Sequence, residues 1–115
     1  MVMEQLAVEI VGLCREYGEC RVEVERMEEA RRVKNALESV CAMARQRLDI
    51  SDPALLLALL DACEVTRDEG MLQEVLDVVG RNLDRLAVSA ESVKLLACCY
   101  YYCLLYTSDA ADDKA

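Results

Sequence analysis

Apolar residues recur along most of the chain at steps of three and four, which is the period of an α-helix. The clearest series begins at Leu72 and continues through Leu76, Val79, Leu83 and Leu86. Four other segments share this spacing. The pattern therefore predicts five helices and an all-α fold with no β-sheet.

Helix boundaries are marked by residues that stop or start a helix. Gly18 is a natural stop for a first helix over Met3–Tyr17, and a second helix is expected over Val22–Leu48. Ser51-Asp52-Pro53 breaks the chain and restarts it, because a side-chain oxygen caps free N–H groups while proline occupies the first turn. Thr66 and Glu69 have the capping-box spacing that predicts the start of the fourth helix, and Ser89 is the expected cap of the fifth.

A repeat of about 38 residues relates the middle of the chain to its later part. Residues 37–51 align with residues 75–89, so that a helix, a break and a cap recur in phase. The first helix resembles the third at an offset of 49, with Cys14 over Cys63. Repeats of this length are typical of stacked helical hairpins. We expect about two and a half antiparallel hairpins arranged as an α-solenoid.

Charge and composition narrow the possible functions. The chain has 115 residues, no histidine and a net charge of −9 at pH 7. Without histidine there is no His-based general base or metal ligand, and no phosphate-binding loop or nucleophile elbow is present. We therefore expect no enzymatic activity, no cofactor and no small-molecule substrate. The acidic balance also disfavours nucleic-acid binding, which needs lysine and arginine.

Seven cysteines are spread along the chain, mostly among leucines and alanines. An odd number cannot pair completely, and the Cys99/Cys103 pair lacks two further ligands for a metal. Buried reduced thiols in an intracellular, reducing compartment are the preferred interpretation.

The end of the chain differs in character from the rest. The longest uncharged run, Leu95–Ser108, has 14 residues, whereas a membrane helix needs about 20, so no membrane span is expected. The last residues resemble a translated adaptor sequence. We therefore expect a helical-repeat fragment over residues 1–103 and a non-native or disordered tail over residues 104–115.

Three basic residues are candidate RNA contacts: Arg47, Arg85 and Lys94. Arg47 and Arg85 occupy equivalent repeat positions near the ends of two helices. A cation in the last helical turn also complements the helix dipole, and this structural role is the alternative. A ladder of such residues along one face could meet a phosphate backbone. Tyr100, Tyr101 and Tyr102 could stack on bases, although consecutive residues point around a helix.

The leucine-rich segment Ser51–Cys63 and its counterpart Ser89–Tyr102 resemble the helical repeats of organellar RNA-processing proteins. These include octatricopeptide-repeat proteins, the leucine-rich region of FAST-kinase and RAP-type proteins, and repeat subunits of the mitochondrial RNA-editing substrate-binding complex. The resemblance implies an α-solenoid, RNA processing or binding, and a mitochondrial or other organellar location. The tryptophan and the Pro-Pro-Pro-Glu-Trp signature of such repeats are absent here.

Two functions of different classes follow. In one, the segment belongs to an organellar RNA-processing factor and helps to bind RNA. In the other, it is an acidic protein-interaction scaffold like HEAT or armadillo repeats, with a protein partner and no nucleic-acid contact.

The helical pattern also predicts which side chains are inside. The inward stripes of three consecutive helices form the expected core, comprising Leu60, Cys63, Leu72, Leu76, Val79, Leu83 and Leu96. No sixth helix follows to cover the fifth. Self-association through this helix is therefore expected, with partial exposure of the set Leu95, Cys98, Cys99, Tyr102 and Leu105.

Overall fold

Every regular element in the computed structural model is helical. The structure describes the backbone of residues 3–114 and the side chains of residues 5–105. The five α-helices are α1 (Met3–Cys20), α2 (Met27–Arg45), α3 (Pro53–Thr66), α4 (Glu69–Arg81) and α5 (Ala90–Lys114), and 3-10 turns lie at Val24–Arg26 and Leu83–Arg85. Residues 3–114 contain no strand. The prediction of a five-helix, all-α fold is confirmed.

The third helix lies at the centre of the fold. It packs against α1, α2, α4 and α5. Its sequence is apolar around most of its circumference, which is the pattern of a helix with neighbours on every side. Seven of its 14 residues are buried: Leu55, Leu56, Ala58, Leu59, Leu60, Ala62 and Cys63.

Two of the expected caps form as predicted. Asp52 accepts a hydrogen bond from the backbone N–H of Leu55 at 3.2 Å, and Pro53 occupies the first position of α3. Ser89 accepts one from the N–H of Ser92 at 3.1 Å at the start of α5. Both side chains satisfy a donor that the first helical turn would otherwise leave free.

The predicted capping box at Thr66 is wrong. Asp68 caps α4 instead, and it accepts from the N–H of Met71 at 3.0 Å. The Thr66 hydroxyl donates to the Ala62 carbonyl at 2.7 Å within α3. Arg67 ends α3 in the left-handed conformation, with φ of 57°, so the cap of α4 lies two residues later than the capping box implies.

The first two helices also differ from their predicted bounds. Gly18 does not end α1, which runs on to Cys20, a fully buried residue. The second helix begins at Met27 rather than Val22, because Glu23 is extended and a 3-10 turn follows it. The charged stretch before α2 is held by Arg26, whose guanidinium donates to Glu29 at 2.9 Å and lies 3.5 Å from Glu23.

The apolar series of the fourth segment does not belong to one helix. Helix α4 ends at Arg81, and the side-chain amide of Asn82 donates to the Val78 carbonyl at 2.7 Å. The chain then tightens into the 3-10 turn, which changes the direction of the following side chains. Leu83 is consequently 55% exposed, contrary to its predicted place in the core.

The remaining core predictions are mixed. Leu60, Cys63, Leu72 and Val79 are buried and Leu76 is half-buried, whereas Leu96 is 38% exposed because it lies on the outward face of α5. Of the set expected to be partly exposed, Leu95 and Cys99 are buried, Cys98 and Tyr102 are half-buried and Leu105 is exposed.

The boundary expected at residue 104 falls inside α5. The side chains of residues 106–115 lie outside the described residues, and a non-native origin of the tail stays a prediction.

Candidate functional site

The repeat is visible in the pattern of buried residues. At an offset of 38, buried positions of α2 match buried positions of α4: Val33 with Met71, Leu37 with Val75 and Cys41 with Val79. At an offset of 49, Leu6, Ala7, Ile10 and Cys14 of α1 match Leu55, Leu56, Leu59 and Cys63 of α3, and all eight are buried. Both offsets are those that the sequence predicts.

The N-caps show that α3 aligns with α5 at an offset of 37 residues rather than 38. Asp52 and Ser89 each accept from the N–H three residues further on, so they are equivalent N-caps. This alignment brings Leu55 over Ser92, Ala58 over Leu95 and Ala62 over Cys99, and all six are buried. The repeat found in the sequence has an offset of 38 because it aligns Ser51, rather than Asp52, with Ser89.

The same alignment identifies an open face on α5. Leu56, Leu59 and Cys63 are buried in α3, and their equivalents Val93, Leu96 and Tyr100 are 62%, 38% and 69% exposed. With Leu104, which is 49% exposed, they form a continuous apolar row at steps of three and four. We call these four residues the α5 stripe. They are the main candidate binding surface because they are apolar, contiguous and accessible.

Part of the set Leu95, Cys98, Cys99, Tyr102 and Leu105 was expected to be exposed, and because Leu105 is exposed this prediction is confirmed. The prediction that Leu96 lies in the core is wrong, since Leu96 is 38% exposed. The Ser89 cap is the sequence feature that could have identified the outward side of α5. Because Ser89 and Asp52 are equivalent caps, they determine which residues of α5 correspond to the buried residues of α3.

A groove of about 350 Å³ lies beside the stripe, where the end of α3, the start of α4 and α5 meet. The Tyr102 hydroxyl donates to Glu64 at 3.1 Å and joins α5 to α3 across it. Burial, and then the negative charge of Glu64, raise the pKa of Tyr102. Asp68, Glu69 and Arg67 complete the polar lining, for which the sequence carries no recognisable motif.

The groove has no activated nucleophile. Its one thiol, Cys63, is buried, and burial raises the pKa of Cys63 to about 12. A cysteine nucleophile needs a lowered pKa or an adjacent base. The carboxylates and the tyrosine can therefore bind a polar or basic group, but they do not form a catalytic set.

One ion-pair network connects α2 with α4. Arg45, in the last turn of α2, contacts Glu74 of α4, and its Nη1 lies 3.7 Å from Asp68. The end of α2 therefore lies beside the first half of α4. These side chains are all 35% or more exposed, so the ion pairs add little to the stability of the fold. Their main effect is on how α2 and α4 are placed relative to each other.

The three basic candidates lie on different elements of the fold. Arg47 is exposed in the connection after α2, Arg85 is exposed in the second 3-10 turn, and Lys94 is exposed on α5. The charge of Arg85 contributes to the lowered pKa of Asp49, for which the hydrogen bonds from Ser51 are the main cause. Asp61, with a pKa that burial raises, feels the opposing charge of Lys94. Two of the three candidates thus lie close to carboxylates.

The thiols behave as apolar groups. None of the seven is in a disulfide, and Cys14, Cys20, Cys41, Cys63 and Cys99 are buried. Burial raises the pKa of Cys14 to about 12 and that of Cys41 to about 11. Among the described residues no group of histidine, cysteine or acidic side chains has the arrangement of a metal site. Nor does any helix in the described part of the chain have the length and apolar character needed to cross a bilayer.

Comparisons with known proteins returned nothing: no family model, no curated protein and no solved structure matches the chain.

The burial pattern predicts the order of thiol reactivity. At pH 8 we expect Cys103, the one thiol classed as exposed, to react rapidly with an aromatic disulfide reagent, whereas the five buried thiols react only on unfolding. Cys103→Ser should remove the fast phase, and Cys99→Ser, on the same helix, should leave it intact. Rapid reaction of more than two thiols in the folded chain would contradict the assignment.

Proposed function

We propose that this chain is a non-catalytic helical-repeat segment that acts as a protein-interaction scaffold, with α5 as its binding end. In this proposal the helices form antiparallel hairpins that stack as an α-solenoid. The observation that carries it is the α5 stripe, which exposes on α5 the positions that α3 buries.

Contacts between the odd-numbered helices support the stacking. The Arg21 guanidinium, just after α1, donates to the Val65 carbonyl near the end of α3 at 3.4 Å. Tyr102 of α5 meets Glu64 of α3, a separation of 38 residues that differs by one from the offset of 37 between these helices. Both contacts fit a row in which α1, α3 and α5 run in the same direction. The smallest dimension of the molecule, 23 Å, corresponds to about two layers of helices.

The polar character of the site favours a protein partner over RNA. The net charge is −9, and the groove beside the stripe has three carboxylates and one arginine. A protein that binds phosphates gains most of its affinity from lysine and arginine contacts, so this distribution opposes RNA.

RNA binding in an organellar processing factor is the second candidate. One observation favours it: Arg47 and Arg85, equivalent in the repeat, are both exposed just beyond the ends of α2 and α4. The mitochondrial location belongs to this candidate and rests on the sequence resemblance alone.

A binding measurement separates the two candidates. We expect a labelled single-stranded RNA to show no saturable binding at about 20 mM salt, where phosphate contacts are strongest. Fluorescence anisotropy provides the readout. The RNA candidate requires binding that falls steeply with salt and is lost in the variant Arg47→Ala/Arg85→Ala/Lys94→Ala. The control Arg15→Ala/Arg31→Ala/Arg81→Ala removes the same charge from exposed positions elsewhere.

A longer array tests the scaffold itself. By the offset of 37, Cys103 is equivalent to Thr66, so residues 67–105 can be joined directly after Cys103. We expect the added hairpin to cover the α5 stripe and to raise the urea midpoint of the whole chain, because neighbouring repeats stabilise one another. As a control, the same extension carrying Tyr100→Glu in the first copy of α5 should raise the urea midpoint by a smaller amount. An extension that unfolds separately, with no change in the original midpoint, would contradict stacking at α5.

A further inference from the structure

We infer that the α5 stripe is a homodimer surface, on which α5 of a second copy of this chain packs antiparallel about a two-fold axis. The inference rests on the proposed function and specifies its partner. It follows from the difference between the two ends of the helix row and from the self-complementary order of residues along α5.

The two ends of the row have opposite character. Among the exposed residues of α1 in the described part of the chain, Val8 and Val11 are apolar, but the rest are mainly polar: Gln5, Glu9, Arg15, Glu16 and Glu19. On α5 the exposed residues between positions 90 and 105 include only two charged side chains, Glu91 and Lys94. The α1 end therefore has the polar surface of a terminal repeat, and the α5 end does not.

This difference excludes the simplest alternative arrangement of two copies. A head-to-tail stack would place the apolar α5 stripe against Glu9 and Glu16, and burying unpaired carboxylates is costly. A two-fold arrangement covers the stripe with an identical apolar stripe. Head-to-tail contacts would also continue into open filaments, whereas the two-fold contact closes at the dimer.

The order of residues along the stripe fits an antiparallel pair. Ala97 is exposed beside the stripe, and when the axis passes midway between Ala97 and Tyr100, Ala97 of each copy lies opposite Tyr100 of the other. A large ring then meets a methyl side chain, and the smaller Val93 meets Leu104 in the same way. This alternation of large and small residues allows two helices to interdigitate at close approach.

Charges at the edge of the stripe agree with the antiparallel direction. Lys94 lies beside the stripe on the same side of α5 as Tyr101, which is 58% exposed. In the antiparallel pair Lys94 approaches Tyr101 of the second copy, where a cation over an aromatic face is favourable. A parallel pair would instead place Lys94 and Tyr101 of the two copies on opposite edges of the contact, and it would align the two helix dipoles unfavourably.

The test is the mass of the full chain in solution, measured by sedimentation velocity with a reducing agent from about 10 to 500 µM, a range that covers weak self-association. We expect a concentration-dependent shift from 12.9 kDa to twice that mass, with no larger species. Tyr100→Glu, at a position 69% exposed, should abolish the dimer. Val8→Glu, at a position 73% exposed on α1, should leave it unchanged. Circular dichroism of both variants establishes that they remain folded.

Each other outcome overturns the inference. A monomer at every concentration, or a dimer that survives Tyr100→Glu, shows that the stripe is not a homodimer surface. Loss of the dimer in Val8→Glu, or growth beyond two copies, shows head-to-tail contact. None of these results depends on the lengthened array or on RNA binding, so the dimer can fail while the scaffold proposal stands.

Discussion

The fold depends on the packing of α3 against its four neighbouring helices. It packs against α1, α2, α4 and α5, and its buried residues are leucines, alanines and one cysteine. Apolar surface removed from water stabilises a protein by roughly 25 cal/mol per Å², and a small chain has few places where large side chains are fully covered. Helices α1, α4 and α5 each pack more extensively against α3 than against any other helix, whereas α2 packs mainly against α1.

The contrast between α3 and α5 is the basis of the function that we propose. The two helices have equivalent caps and equivalent inward residues, but only α3 has neighbours on the opposite side. The apolar face that neighbouring helices cover in α3 is exposed in α5, and we propose this exposed face as a binding surface. The buried thiols belong to the same account, because cysteine serves here as a small apolar side chain.

The sequence predicts which helices form better than it predicts where they end and which of their sides face the core. Helical spacing, proline at a first turn and the Ser89 cap predict five helices, since each reflects a local preference of the backbone. Leu83 and Leu96 were assigned to the core because their spacing fits, but spacing alone does not determine where a helix ends or which side of it has a neighbour. The side chain of Asn82 ends α4 early, and α5 turns Leu96 outward. The groove at Tyr102 was not predicted, because it joins residues 38 apart through a tertiary contact.

The central claim is that coverage of α3, rather than the helical sequence itself, determines stability. Leu59 and Leu96 are equivalent positions, the first fully buried and the second 38% exposed. Urea unfolding of Leu59→Ala and Leu96→Ala, at concentrations where the chain is monomeric, tests the claim with one chemical change at two equivalent sites. The account predicts a loss of about 2–5 kcal/mol for Leu59→Ala, or failure to fold, and less than about 1 kcal/mol for Leu96→Ala. Equal losses at the two positions would contradict it.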